Sequence, residues 1–221
     1  MLEVNIDGLS ARPRILGEIF TTVSRGDRIC LLGPSGAGKT TLLNALAGLD
    51  EGLSTSIQGR SRVRVGYLFQ EHRLLPWRTV AQNLALVGAH AETINRLLAD
   101  VGLTGFGEHL PDQLSLGMAR RAALARCLAV DPDLLLLDEP FASLDPPRAA
   151  ELRQLIQRLL QAHPDMAMVC VTHDTIDVGE LANRLWYLDG TPATLQWDDR
   201  LEAGKSPESL VRQLRQLDAT R

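Results

Sequence analysis

The chain has 221 residues, 45% of them hydrophobic, with a net charge of −4 and three cysteines. That is enough apolar material for one large α/β domain, and it excludes a disordered chain. The acidic balance gives no general attraction to nucleic acid. Cys30, Cys127 and Cys170 sit among apolar neighbours with no C-x-x-C spacing, so they read as reduced core residues rather than a disulfide or zinc set.

No stretch reaches the roughly 18–20 apolar residues that cross a bilayer. Met1 to Asp7 alternates like a strand and lacks a basic lead or an apolar signal core. The expectation is a protein that stays inside the cell and meets a membrane only through a partner.

Residues 2–7 and 15–23 read as strands, with a turn at Arg25-Gly26-Asp27. Ile29 to Leu32 is a short apolar run that predicts a buried strand, and Thr41 to Ala47 predicts a helix ending near Gly48. Between them, Gly33-Pro34-Ser35-Gly36-Ala37-Gly38-Lys39-Thr40-Thr41 fits G-x-x-x-x-G-K-[ST]. In a strand–loop–helix unit the loop amides and the helix N-terminus form a concave, positive anion site. Lys39 adds a point charge for the outer phosphates, and the Thr40 hydroxyl is a Mg²⁺ ligand. The pattern implies a nucleotide phosphate and leaves the base open.

Residues 54–58 and 63–69 read as short strands, and 79–87 and 91–101 carry helical spacing. Residues 116–129 form an alanine-, leucine- and arginine-rich helix. Leu134 to Leu137 is all apolar, as in a parallel strand covered on both faces. Asp145 is placed to cap a helix that starts at Pro146 and runs to about Gln161. Ala167 to Val171 predicts another buried strand, with a helix near 175–182, a hairpin of 185–188 and 193–197 around Gly190, and a final amphipathic helix over 206–217. The alternation predicts an α/β fold: a phosphate-loop core with a mostly parallel sheet and an antiparallel N-terminal β region. It is read as a single domain over residues 1–221, with a core of about 1–72 and 130–221 and an inserted α-helical subdomain of about 73–129.

Asp138 and Glu139 end the leucine strand, where ligands gather in open α/β sheets. Asp138 suits a Mg²⁺ shell and Glu139 a general base that polarises water; the alternative is a solvated acidic turn before Pro140. His173 ends the strand 167–171 and Gln70 ends 65–69. An imidazole there suits the γ-phosphate or attacking water, and an amide suits Mg²⁺ or water. Ser115 and Gly117 open the alanine-rich helix, as either an ordinary serine cap or a second anion site that completes a neighbour's nucleotide.

These motifs, in order GPSGAGKTT, Phe69-Gln70, LSLGM at 114–118, LLLLDEP at 134–140, SLD at 143–145 and Thr172-His173, resemble the ATP-binding cassette family over residues 2–190. The resemblance implies an ATPase that uses ATP and Mg²⁺. It implies a head-to-tail dimer, read as a homodimer, that closes on two ATP molecules. Gln70 becomes the lid residue and Ser143-Leu144-Asp145 the loop crossing the dimer seam.

Three departures stand out: Leu116 and Met118 replace a glycine and a glutamine of the family motif, residues 10–14 supply no aromatic ring for adenine, and the C-terminal tail is short. The segment Glu71 to Val80 resembles the importer branch for nitrate, sulfonates, taurine or thiamine-like solutes. There, the region near residues 70–80 meets an integral membrane permease. Leu74, Leu75 and Trp77 would serve as apolar anchor and Arg73 and Arg78 as rim, the alternative being a loop packed on its own subdomain. A solute-binding protein is a further implied partner, nucleic acid is not, and the implied location is cytoplasmic, peripheral on the inner face of the cell membrane. A soluble cassette protein and an export, lipid-transport or regulatory subunit are the alternatives.

Overall fold

The computed structural model describes residues 2–7, 15–50 and 57–201. The adenine-side segment 10–14, residues 54–56 of one expected strand and the expected helix at 206–217 lie outside the described residues. The chain divides into two compact units, Met1–Arg62 with Ala167–Arg221, and Val63–Met166.

In the first unit, strand β1 (Leu2–Asp7) pairs antiparallel with β2 (Glu18–Val23) and with the two-residue β4 (Ile57–Gln58). Strand β3 (Arg28–Leu32) lies between β7 (Ala167–Val171) and β8 (Arg184–Gly190), parallel to both. Strand β9 (Ala193–Arg200) closes the hairpin antiparallel to β8. All five β7 residues and the last four of β3 are buried, as β-branched and leucine runs covered on both faces must be. Helices α1 (Lys39–Ala47) and α6 (Thr175–Leu181) complete the unit. Arg184 ties it at the strand starts, bonding Asp198 at 2.6 Å and Asp27 at 3.0 Å.

In the second unit, β5 (Val65–Leu68) runs parallel to β6 (Leu134–Asp138). Its helices are α2 (Val80–Ala85), α3 (Ala91–Asp100), α4 (Leu116–Leu128) and α5 (Pro146–Ala162). Asp145 caps α5 by accepting from the Arg148 amide at 3.0 Å, with prolines following where the helix needs no N–H. A capping box at Thr79 and Gln82 starts α2. Helix α4 lies directly on β5: a Cβ on Gly66 would stand 2.7 Å from the Cys127 carbonyl oxygen, so only glycine permits the approach. Burial pushes the Cys127 thiol up to about 12, and all three cysteines are buried and free. Among the described residues no helix is long and apolar enough to cross a membrane.

Candidate active site

Strand β3 delivers the chain into residues 33–38, and α1 carries it away from Lys39. A Cβ on Gly33 would stand 2.1 Å from the Leu188 carbonyl oxygen, so β8 forbids a side chain there. Gly36 is required for a different reason: its φ is +80°, while the space beside it is open to 4 Å. Helix α1 starts at Gly38 with no side-chain cap, so its positive end faces the loop. Lys39 is 6% exposed and donates from Nζ to the Gly33 carbonyl at 2.9 Å and the Pro34 carbonyl at 2.7 Å. A buried ammonium needs such oxygens, and these hold it at the loop itself.

The glycine loop opens onto a cavity of about 360 Å³, lined by Gly33, Pro34 and Ser35 on one side and Thr172, His173 and Tyr187 on the other. His173 is thus brought to the loop from the end of β7. Its turn is fixed from below. Thr172 donates to Asp177, the Asp174 amide donates to Thr172 Oγ1 at 3.1 Å, and Asp174 caps α6 through the Ile176 amide at 2.8 Å. Thr172 and Asp177 are buried while His173 is exposed.

The second group of expected residues lies in the second unit. Four buried leucines lead β6 to Asp138, 4% exposed. Glu139 follows with φ +47°, a left-handed backbone that costs a non-glycine residue about 1–2 kcal/mol. Gln70 Nε2 donates to Glu139 Oε2 at 3.4 Å, so the amide and the carboxylate expected from separate strand ends do meet. Burial, and then the Asp138 charge, raise the Tyr67 phenol, which stays protonated beside them. Ser115 caps α4, accepting from the Met118 amide at 3.3 Å, and Gly117 lies in the first turn. Leu116 is 45% exposed, so its bulk faces outward beside Ser115 and Gly117.

Two arginines of α4 were not expected in this group. Arg120, 5% exposed, donates to the Pro140 carbonyl and, at 3.4 Å, to the Gln70 carbonyl. Arg126 donates to the carbonyls of Arg73 at 2.8 Å and His72 at 3.2 Å. The signal was available: Arg120 shares the buried helical register of Ala123, Leu124 and Cys127, where a cation must have oxygen partners.

The loop after Gln70 splits the expected apolar anchor. Leu74 is 5% exposed and belongs to the chain's own core, whereas Trp77 is 71% exposed. Asn83 on α2, fully buried, holds the loop between them by accepting from the Leu75 amide and donating to the carbonyls of Leu75, Arg78 and Thr79. Arg73 lies 3.8 Å over the Phe69 ring, which itself stacks on Tyr67. Among the described residues no three His, Cys, Asp or Glu side chains form a metal cluster. The amide oxygen of Gln70 and the carboxylate of Asp138 in the second unit, and the Thr40 hydroxyl in the first, are each hard oxygen donors of the kind that suits Mg²⁺.

Residues 16–142 match the family model described as ABC transporter. The chain is 41% identical over 198 residues to an aliphatic sulfonates import ATP-binding protein of Burkholderia cenocepacia (strain HI2424), covering 85% of this chain and 72% of that protein. It is 44% identical over 192 residues to another of the same description from Paraburkholderia xenovorans (strain LB400), covering 83% and 76%. Among solved structures it resembles a dimeric post-hydrolysis state of an ATP-binding cassette bound to ADP and Pi, with a TM-score of 0.75 and 25% identity over 92% of this chain and all of that one.

Proposed function

The chain belongs to the ABC transporter family, and from that premise we propose that it is the ATP-hydrolysing subunit of an importer, driving a partner permease in the membrane. The observation that carries the reading is the glycine loop: an uncapped helix end, an open flank at Gly36 and a buried ammonium at one mouth, facing a cavity that His173 also lines. Residues 33–41 cradle the phosphates of ATP, with Lys39 leaving its loop carbonyls for phosphate oxygens.

Mg²⁺, held by Thr40, Gln70 and Asp138, would neutralise charge on the outer phosphates. Glu139 accepts a proton from the attacking water, and His173 donates a hydrogen bond to the γ-phosphate or holds that water. The Gln70 amide, already bonded to Glu139, orients the carboxylate. In a dimer of two such chains, Ser115 and Gly117 of each would seal the other's nucleotide; that the solved cassettes it resembles are dimeric supports the pairing of two chains. The adenine-side segment carries no aromatic ring, and Ile15, 42% exposed beside Gly38, is an apolar surface for the base. Trp77 is the exposed anchor for the permease, on the helical part of about residues 73–129 that transmits closure. Aliphatic sulfonates or similar small anions are the solute class, a solute-binding protein delivers them, and the subunit works on the cytoplasmic face.

Calorimetric titration with ATP tests the site: the wild-type chain binds, and Lys39→Ala weakens binding by roughly 100-fold or more, the worth of one charge-assisted contact of about 3 kcal/mol. Undiminished affinity in that variant would remove the phosphate-loop reading.

A further inference from the structure

Helix α4, capped by Ser115, runs Leu116–Leu128, and its inner face is otherwise built from alanine, leucine and cysteine. A guanidinium in that face is expensive to bury and is retained only where it finds oxygens. Arg120 finds two, and both are backbone carbonyls at equivalent places. Gln70 lies two residues beyond the end of β5, and Pro140 two beyond the end of β6. A guanidinium is a planar fork of fixed geometry, so one side chain spanning two carbonyls sets the distance between them.

One of the residues it spans, Gln70, and the residue before the other, Glu139, are the pair whose side chains meet, Gln70 Nε2 to Glu139 Oε2 at 3.4 Å. Glu139 also sits in a left-handed backbone, φ +47°, which persists only where neighbours over-determine it. The bond from Arg120 to Pro140, one residue on, and that from the Ala142 amide to the Glu139 carbonyl at 3.1 Å bracket that strained position.

We propose that Arg120 is a positioning residue for hydrolysis: it fastens the backbone at Gln70 and at Pro140, the residue after Glu139, to the helix that carries Ser115 and Gly117, and so keeps the lid amide and the base in register. The inference rests on the ATPase reading above and adds to it a residue that touches neither nucleotide nor water. Loss of the fork frees the Gln70–Glu139 pair. Turnover falls because the base is misplaced, while ATP binding at residues 33–41, in the other unit, is preserved.

The test is steady-state ATPase of the full-length chain with Arg120→Lys, Arg120→Gln and Arg120→Ala, alone and combined with Gln70→Ala. Thermal melting and ATP titration are run on the same samples. The proposal expects kcat to fall roughly 10- to 100-fold in Arg120→Gln and Arg120→Ala with KM for ATP within about twofold, since misplacement by an ångström costs that much. Arg120→Lys, which reaches one carbonyl, falls between. In the Gln70→Ala background the Arg120 substitutions cost much less, because the pair they position is already broken. Wild-type kcat in Arg120→Gln, full additivity with Gln70→Ala, or activity that simply tracks melting temperature across the three variants would overturn the proposal. A wild-type chain that bound no ATP would instead overturn the nucleotide reading, and this proposal with it. A chain that binds and turns over ATP while ignoring Arg120 would sink this proposal alone.

Discussion

At the scale of single residues, two buried or half-buried arginines of the second unit hold its loops by their backbone carbonyls. Arg120 and Arg126 each grip two of them, and Arg73 and Glu139, both at positive φ, lie within or beside the gripped segments. His72 is caught in the same net. Its Nδ1 accepts from the Leu74 amide at 3.3 Å, which requires that nitrogen unprotonated. Burial, then the Arg126 and Arg120 charges, push the His72 imidazole below its ordinary 6.5. Below that pH the unfolded chain therefore takes up the proton more readily than the folded one. Stability that is complete above pH 6.5 declines as pH falls towards the depressed value and levels off beneath it. Denaturant unfolding at a series of pH values should show His72→Gln flattening this slope between pH 6.5 and the depressed value; an identical slope in the variant would show that His72 does not set it.

At the scale of elements, much was legible because the signals were local. The glycine loop, the caps at Asp145 and Ser115, and the buried runs of β6 and β7 all follow from short patterns, and each forms as expected. What was not legible depends on neighbours distant in sequence. Leu74 read as part of an outward anchor because its hydrophobicity is the same inside or outside; the four hydrogen bonds of Asn83 decide that Leu74 turns in and Trp77 turns out. Gly66 read as an ordinary strand residue, yet it is the place where α4 lies on β5. Gly66→Ala should cost about 1–3 kcal/mol in urea unfolding, since the new methyl would meet a backbone oxygen rather than a side chain that can swing aside. Because α4 carries Arg120, turnover should drop as well. A variant as stable as wild type would mean that the helix rises off the strand without penalty.

At the scale of the whole molecule, the first unit holds the glycine loop, Lys39 and His173, and the second holds Glu139, Gln70 and the Ser115 helix cap. Motif order along the chain made the family readable before any coordinate, because each motif names its own chemistry. The solute was not readable, because nothing in an ATPase touches it. The proposed membrane partner meets the molecule at Trp77, so Trp77→Ala should sharply reduce co-purification of the permease while ATP affinity stays within about twofold of wild type, an aromatic anchor of this kind being worth about 2 kcal/mol or more. Full retention of the permease would place the docking surface elsewhere. The account as a whole rests on hydrolysis of ATP with Glu139 as the base. Its most direct test follows phosphate release and retained nucleotide in one preparation of Glu139→Gln beside wild type. The account predicts turnover reduced by about 100-fold or more, the worth of a general base, with unhydrolysed ATP held on the protein. Wild-type phosphate release from Glu139→Gln, or a variant that retains no ATP, would contradict it.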